Sequence, residues 1–121
     1  IALFAAGIMV HEAMQAAKAL EAQGVSAAVI DMFTIKPLDE EAVEAWAKKC
    51  GAAVVAENHN KYGGLWSAVS EVLAKKCPIP ADCVAVEDEF GEVGPQGYLQ
   101  ERFGLTAAHI VEQAKAVLAR K

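Results

Sequence analysis

The sequence predicts an α/β domain in which helices cover both faces of a mainly parallel sheet. Short apolar runs of strand length alternate along the whole chain with amphipathic segments of helix length. The strand runs are almost unbroken in their hydrophobicity, which is typical of strands buried on both faces. A length of 121 residues suits one hydrophobic core, so residues 1–121 are expected to form a single domain.

Hydrophobic periodicity, together with the glycine, proline and capping residues that interrupt it, predicts four strands and five helices. The strands are predicted at residues 1–6, 25–34, 52–57 and 83–87. Helices are predicted at residues 9–23, from the cap Asp39 to Gly51, from Gly64 to Pro78, at residues 96–103, and after the cap Thr106. Consecutive strands separated by helices imply parallel βαβ units with right-handed crossovers.

Composition excludes several classes of protein. With 11 Lys+Arg against 16 Asp+Glu, the net charge is -5, so no basic surplus is present to bind nucleic acid. The longest apolar stretches are of strand length, and the N-terminus has no basic segment, so neither a membrane span nor a signal peptide is expected. Because the chain starts without Met and inside an apolar run, we expect it to be a fragment of a longer chain.

The cysteines and histidines do not suggest a disulfide framework or a metal centre. Cys50, Cys77 and Cys83 are odd in number and form no C-x-x-C pair, which favours a reduced, cytoplasmic compartment. The three histidines are scattered along the chain, so no metal site is expected.

The best candidate site is the segment that follows the third strand, because ligands of such sheets bind beyond the carboxyl ends of the strands. Its candidate residues, for an anion site or an interface, are Glu57, Asn58, His59, Gly63 and Gly64. Backbone N–H groups at a helix start can hold an anion, and glycines allow it to approach. A plain surface loop is the alternative. His59 could be an acid or a base, but no nucleophile lies near it in sequence.

Other polar motifs give weaker hypotheses. Asp31 could hold a ribose in a dinucleotide site, but the first turn has one glycine where three are needed. The glycine-rich stretch at residues 91–97 has no Lys-Ser or Lys-Thr ending, so it is no P-loop. The acidic residues of 87–92 favour a solvated loop over a divalent metal site.

Four segments together resemble one family. They are AGIMVHEA at residues 6–13, VIDMFTIKPLD at 29–39, ENH followed by GGL and SAV at 57–69, and FG followed by GLT and Ile110. The chain is similar over essentially its whole length to the C-terminal domain of transketolase-like, thiamine-diphosphate-dependent enzymes, and most similar to that section of split transketolases.

The resemblance carries expectations about fold and function. It implies a sheet in the order 2-1-3-4, with an antiparallel edge strand upstream of Ile1. It implies a whole enzyme that transfers a two-carbon ketol unit from a ketose phosphate to an aldose phosphate, with thiamine diphosphate and Mg²⁺ bound by preceding domains. This domain would be noncatalytic, would bind no cofactor itself, and would stabilise a homodimer or an α2β2 assembly with the cofactor- and pyrimidine-binding domains.

Two kinds of alternative stay open at this point. The same domain occurs in deoxyxylulose-phosphate synthase and in the β subunit of 2-oxoacid dehydrogenases. A free-standing module that binds an anion or a nucleotide for regulation is the alternative from another class.

Overall fold

A computed structural model describes residues 1–121, and it contains four strands and five helices. The strands are β1 (Ala2–Ala5), β2 (Ala28–Asp31), β3 (Ala53–Asn60) and β4 (Ala81–Val86). The helices are α1 (Met9–Glu21), α2 (Glu40–Cys50), α3 (Leu65–Lys76), α4 (Gln96–Arg102) and α5 (Ala107–Leu118). None of the helices is long and apolar enough to cross a membrane.

The sheet confirms the predicted fold class and strand order. Its order is β2-β1-β3-β4, and all three neighbouring pairs are parallel. The central pair aligns Ala2 with Ala53 and Ala5 with Ala56. All four strands therefore end at the same edge of the sheet, which we call the carboxyl edge.

All four strands differ from their predicted bounds, and hydrogen bonding explains the largest differences, which are in β2 and β3. β2 is short because its only partner is the four-residue β1, and because the N–H of Val25 is bonded to the carbonyl of Leu20 at the end of α1. β3 continues to Asn60, which aligns with Val86 of β4 beyond an irregularity after Ala56. Residues 58–60, predicted as loop from their polar side chains, are therefore strand, because the ladder uses backbone groups only.

The two faces of the sheet carry separate cores, as the unbroken apolar strands predict. Alternate residues of β3 point to opposite faces, with Val54 in the core beneath α1 and α5 and Val55 in the core beneath α2 and α3. Trp46 and Trp66 are half-buried against the second core. The helices thus fix the strands from both sides and leave the carboxyl edge to the connecting loops.

The helix termini predicted from capping residues are confirmed. Asp39 accepts a hydrogen bond at Oδ1 from the N–H of Ala42, 3.0 Å away, and begins α2. Thr106 accepts one at Oγ1 from the N–H of His109 and begins α5. Gly51 ends α2 with a φ of 71°, in the left-handed region that glycine tolerates.

Candidate functional site

The predicted site residues lie together at the carboxyl edge, around the point where β3 passes into α3. We call residues 57–64 the β3–α3 segment. Glu57 is buried, Asn58 and His59 are exposed on the last part of β3, and Gly63 and Gly64 precede the first turn of α3. One internal acid and two exposed polar side chains thus share one short stretch.

Glu57 occupies the start of α3 with its own carboxylate. Only 2% of its surface is exposed. Oε2 accepts a hydrogen bond from the N–H of Leu65 at 2.7 Å, and Oε1 accepts one from the N–H of Trp66 at 2.9 Å. A negative group at the positive end of a helix dipole is favourable. The place where an external anion would bind is therefore filled by a side chain of this protein.

The two glycines make room for that contact. A Cβ at Gly64 would collide with the Glu57 carboxylate and lie 2.9 Å from Nδ1 of His59. Gly63 has a φ of +81°, and its N–H donates to Oγ of Ser67 at 2.8 Å. The N–H groups of Gly63, Leu65 and Trp66 are thus all bonded within the chain, which favours the interface alternative for the segment. The anion site stays a prediction.

The exposed side chains of Asn58 and His59 make no hydrogen bond to another side chain of the protein. Nδ1 of His59 lies 2.8 Å from the carbonyl oxygen of its neighbour Asn60, and no other side chain bonds to it. The amide of Asn58 has no hydrogen-bond partner within the chain. Both residues lie in the part of β3 that extends beyond its pairing with β1, and both are exposed.

Side-chain contacts tie the β3–α3 segment to the loop that follows β4. Asn60 donates from Nδ2 to Oδ1 of Asp88 at 3.0 Å, and Nζ of Lys61 lies 2.6 Å from Oε2 of Glu87. The hydrogen bond that Lys61 donates to Glu87 raises the pKa of Lys61. Asp88 has a φ of 56°, a conformation uncommon for a residue with a side chain. These pairs hold the two loops in one arrangement.

The loop after β4 carries a second set of ion pairs. Arg102 of α4 contacts Glu89 at 2.8 Å and Glu92 at 2.7 Å, and the hydroxyl of Tyr98 donates to Glu92 at 2.9 Å. The acidic stretch is thus ion-paired, and no group of three or more His, Cys, Asp or Glu side chains is placed to hold a metal ion.

Beside those acids, Phe90 and Val93 are fully exposed, at 98% and 102% of the reference surface. Phe90 belongs to a motif of the family resemblance, but the exposure of these two residues was not predicted. A signal was present, since each of them directly follows an acid in the sequence. What the sequence does not contain is the direction in which their side chains point.

A crevice of about 400 Å³ lies where the strand order reverses, between β1 and β3. Ligands of open α/β sheets bind at such points. Ile8, which precedes α1, and Asn58 of β3 line it on one side, and Glu92 and Gln96 line it from the loop after β4 and from α4. No Lys or Arg side chain lines the crevice, so it offers no side-chain cation to the phosphates of a nucleotide.

The protein is an αβα domain with a parallel sheet. It has neither the glycine pattern of a dinucleotide-binding turn nor that of a phosphate-binding loop. Ion pairs within the chain hold the loops at its carboxyl edge. The family model described as "Transketolase, C-terminal domain" matches residues 1–110. The chain belongs to this family of transketolase C-terminal domains, as the sequence resemblance predicts.

Curated relatives and a solved structure show the same family. The chain is 51% identical over its whole length to the 6-deoxy-6-sulfo-D-fructose transketolase subunit SqwH of Clostridium sp. (strain MSTE9), of which it covers 38%. It is 37% identical to 1-deoxy-D-xylulose-5-phosphate synthase 1 of Geobacter sulfurreducens, of which it covers 19%. A solved "Split gene transketolase, inactive beta4 tetramer" superposes with a TM-score of 0.92 at 47% identity, over 98% of this chain and 39% of that chain.

The chain therefore spans less than two-fifths of the length of each of these relatives.

Proposed function

We propose that this chain is the noncatalytic C-terminal domain of a longer transketolase subunit. The whole enzyme would transfer a two-carbon ketol unit from a ketose phosphate to an aldose phosphate, in the pentose phosphate pathway of the cytoplasm. The observation that supports this most is the match over the full chain to a transketolase subunit and to a split-gene transketolase structure.

A role in thiamine chemistry is proposed for the whole enzyme and not for this domain. The donor set of this chain does not fit thiamine diphosphate, because the crevice has no cationic side chain for a diphosphate and the acids are paired with Lys61 and Arg102. The cofactor and Mg²⁺ would be held by the cofactor- and pyrimidine-binding domains. This domain would supply rigid surface to a homodimer or an α2β2 assembly.

Reconstitution tests the proposal. The natural full-length protein that contains this domain is mixed with its N-terminal partner subunit, thiamine diphosphate and Mg²⁺. We expect ketol transfer from xylulose 5-phosphate to ribose 5-phosphate that requires both subunits. Assembly without ketol transfer would move the assignment to a sister enzyme such as deoxyxylulose-phosphate synthase, and no assembly would favour a free-standing binding module.

The noncatalytic role has its own test in the same assay. Asn58 and His59 are the exposed polar residues of the β3–α3 segment. We expect that Asn58→Ala and His59→Ala leave kcat within about twofold of wild type, because neither residue touches the reacting atoms. A loss of about 100-fold, the scale of a general acid or base, would contradict the proposal.

A further inference from the structure

We propose that Asp82 and Arg120 form a strap that closes the outer side of β4 to a further β-strand. β4 is the last strand of the sheet, and its one neighbour is β3. We call its other side the free edge. Backbone groups along such an edge can pair with a strand of another chain, which leads to edge-to-edge aggregation. The strap would keep the folded protein from associating in this way, and this role does not depend on the proposed function.

Alternate residues of β4 direct their backbone groups away from β3. The N–H of Ala53 is bonded to the carbonyl of Pro80, and Ala53 aligns with Ala81. In a parallel ladder, a residue directs both of its backbone groups to one neighbouring strand, and the next residue directs both of its groups to the other side. Ala81, Cys83 and Ala85 therefore direct their N–H and C=O groups to the free edge.

Two of these outward groups are already bonded within the chain. The C=O of Ala81 accepts a hydrogen bond from Nη1 of Arg120 at 3.2 Å. The N–H of Cys83 donates to Oδ1 of Asp82 at 2.8 Å. Nη1 of Arg120 also lies 3.7 Å from Oδ2 of Asp82, which joins the two parts of the strap. An added strand would have to break both hydrogen bonds, because it needs the same C=O and the same N–H.

Arg120 lies between the two helical layers at the free edge. It follows α5, which packs on one core of the sheet. It also lines a cleft of about 270 Å³ together with Trp66 and Ser70 of α3, which packs on the opposite core. Ala81 of β4 lines the same cleft. The side chain of Arg120 thus occupies the space beside β4 in which an added strand would have to lie.

The part of β4 that follows the strap has the composition of a strand that pairs readily. Residues 83–86 form an apolar run without charge or proline, which is typical of segments that add to other strands. The side chains of Asp82 and Arg120, by contrast, are 45% and 54% exposed and keep contact with water. An apolar strand placed over them would remove water from both charges, which is unfavourable.

The test measures self-association of the natural full-length protein, with a reductant present so that disulfides do not contribute. For the double variant Asp82→Ala with Arg120→Ala, we expect the aggregation rate, followed by light scattering and thioflavin T fluorescence, to rise at least about tenfold. The matched control is Glu112→Ala with Lys115→Ala, which removes one charge of each sign from exposed positions of α5. It should change the rate less than about twofold.

Conservative variants test the two hydrogen bonds themselves. Asp82→Asn keeps an oxygen that can accept the N–H of Cys83, and Arg120→Lys keeps a cationic donor for the C=O of Ala81. Each should aggregate within about threefold of the wild-type rate, because the bonded backbone group stays covered. Rates are compared at temperatures at which all variants have the same folded fraction, so that unfolded chains do not explain a difference.

Hydrogen exchange locates the association. The N–H of Ala85 points to the free edge, so it should exchange rapidly in the dispersed protein and become protected in the aggregates of the double variant. Three outcomes would overturn the inference. They are a double variant that stays as soluble as wild type, a control variant that aggregates as fast as the double variant, and aggregates in which Ala85 gains no protection.

Discussion

Glu57 shows how one residue organises the carboxyl edge. Its buried carboxylate accepts the N–H groups of Leu65 and Trp66, and Gly64 provides the space for it. Carboxylates that accept backbone N–H bonds make charge-assisted contacts, which are stronger than neutral ones. The start of α3 is thereby bonded to β3.

Replacing this carboxylate by an amide tests its contribution. In Glu57→Gln one of the two N–H donors loses its acceptor, so we expect the free energy of unfolding to fall by about 1–3 kcal/mol. Urea unfolding measures it. The control Glu71→Gln, on an exposed position of the same helix, should stay within about 0.5 kcal/mol. Equal effects of the two variants would contradict the role of Glu57.

Gly64 gives a second test at the same place. Gly64→Ala should destabilise the domain by about 1–3 kcal/mol, because its Cβ meets the carboxylate of Glu57 and overpacking has this cost. Gly97→Ala is the matched control, since no atom lies within 4 Å of a Cβ there and alanine favours helix α4. Thermal melting of both variants should give shifts of opposite sign.

The thiol of Cys83 makes the free energy of unfolding depend on pH in the alkaline range. Burial, with the nearby charges of Asp82, Glu87 and Glu57, raises the pKa of Cys83 to about 12. In the unfolded chain a thiol has a pKa of about 8.5. The folded protein therefore keeps the thiol protonated to a higher pH than the unfolded chain does. This contribution to the free energy of unfolding is complete below the pKa of the unfolded chain and decreases as the pH rises towards 12.

We expect the free energy of unfolding of wild type to fall between pH 8 and pH 10.5 by more than that of Cys83→Ala. Urea unfolding of both proteins at the two pH values isolates this thiol from the lysines and tyrosines that titrate in the same range. Parallel pH dependence of the two proteins would show that Cys83 does not contribute.

Among the single elements, two helices begin at a residue whose side chain caps the first turn. Asp39 begins α2 through its bond to Ala42, and Thr106 begins α5 through its bond to His109. Glu12 of α1 adds a contact between elements, since its Oε2 accepts the N–H of Ala107 at 2.8 Å. Local caps and one distant carboxylate thus act on the helix starts together.

The cap of α2 is testable with a matched pair of variants at one position. Asp39→Ala removes the acceptor, and we expect a loss of about 1 kcal/mol in the free energy of unfolding. Asp39→Asn keeps an oxygen that can accept the bond, and should lose much less. Denaturant titrations of the two variants compare them directly, and equal losses would argue against capping.

The stability of the whole molecule depends on a sheet that helices cover on both faces. Phe4 lies in the central strand β1, fully buried in the core beneath α2 and α3, whereas Phe33 is 88% exposed at the carboxyl edge. Phe4→Ala should cost about 3–5 kcal/mol through lost burial and a cavity.

Phe33→Ala serves as the control for that change, and should leave the unfolding of this domain within about 0.5 kcal/mol of wild type. The melting temperatures of the two variants compare them. A small loss of stability in Phe4→Ala would contradict the burial of this face of the sheet beneath α2 and α3.

The sequence alone predicts the fold class, the strand order that the family resemblance implies, and the helix termini at Asp39, Gly51 and Thr106. These depend on periodicity and on residues three or four positions apart, so they are readable along the chain. It also placed Glu57, Asn58, His59, Gly63 and Gly64 at one edge, because parallel strands end together.

The contacts of those residues are visible only in the three-dimensional structure. Glu57 accepts hydrogen bonds from Leu65 and Trp66, eight and nine residues on. Arg102 pairs with Glu89 and Glu92 of the loop after β4, and Phe90 and Val93 of the same loop are fully exposed. Such contacts join groups that are distant along the chain. Their geometry follows from how the loops pack at the carboxyl edge, and no local pattern encodes that packing.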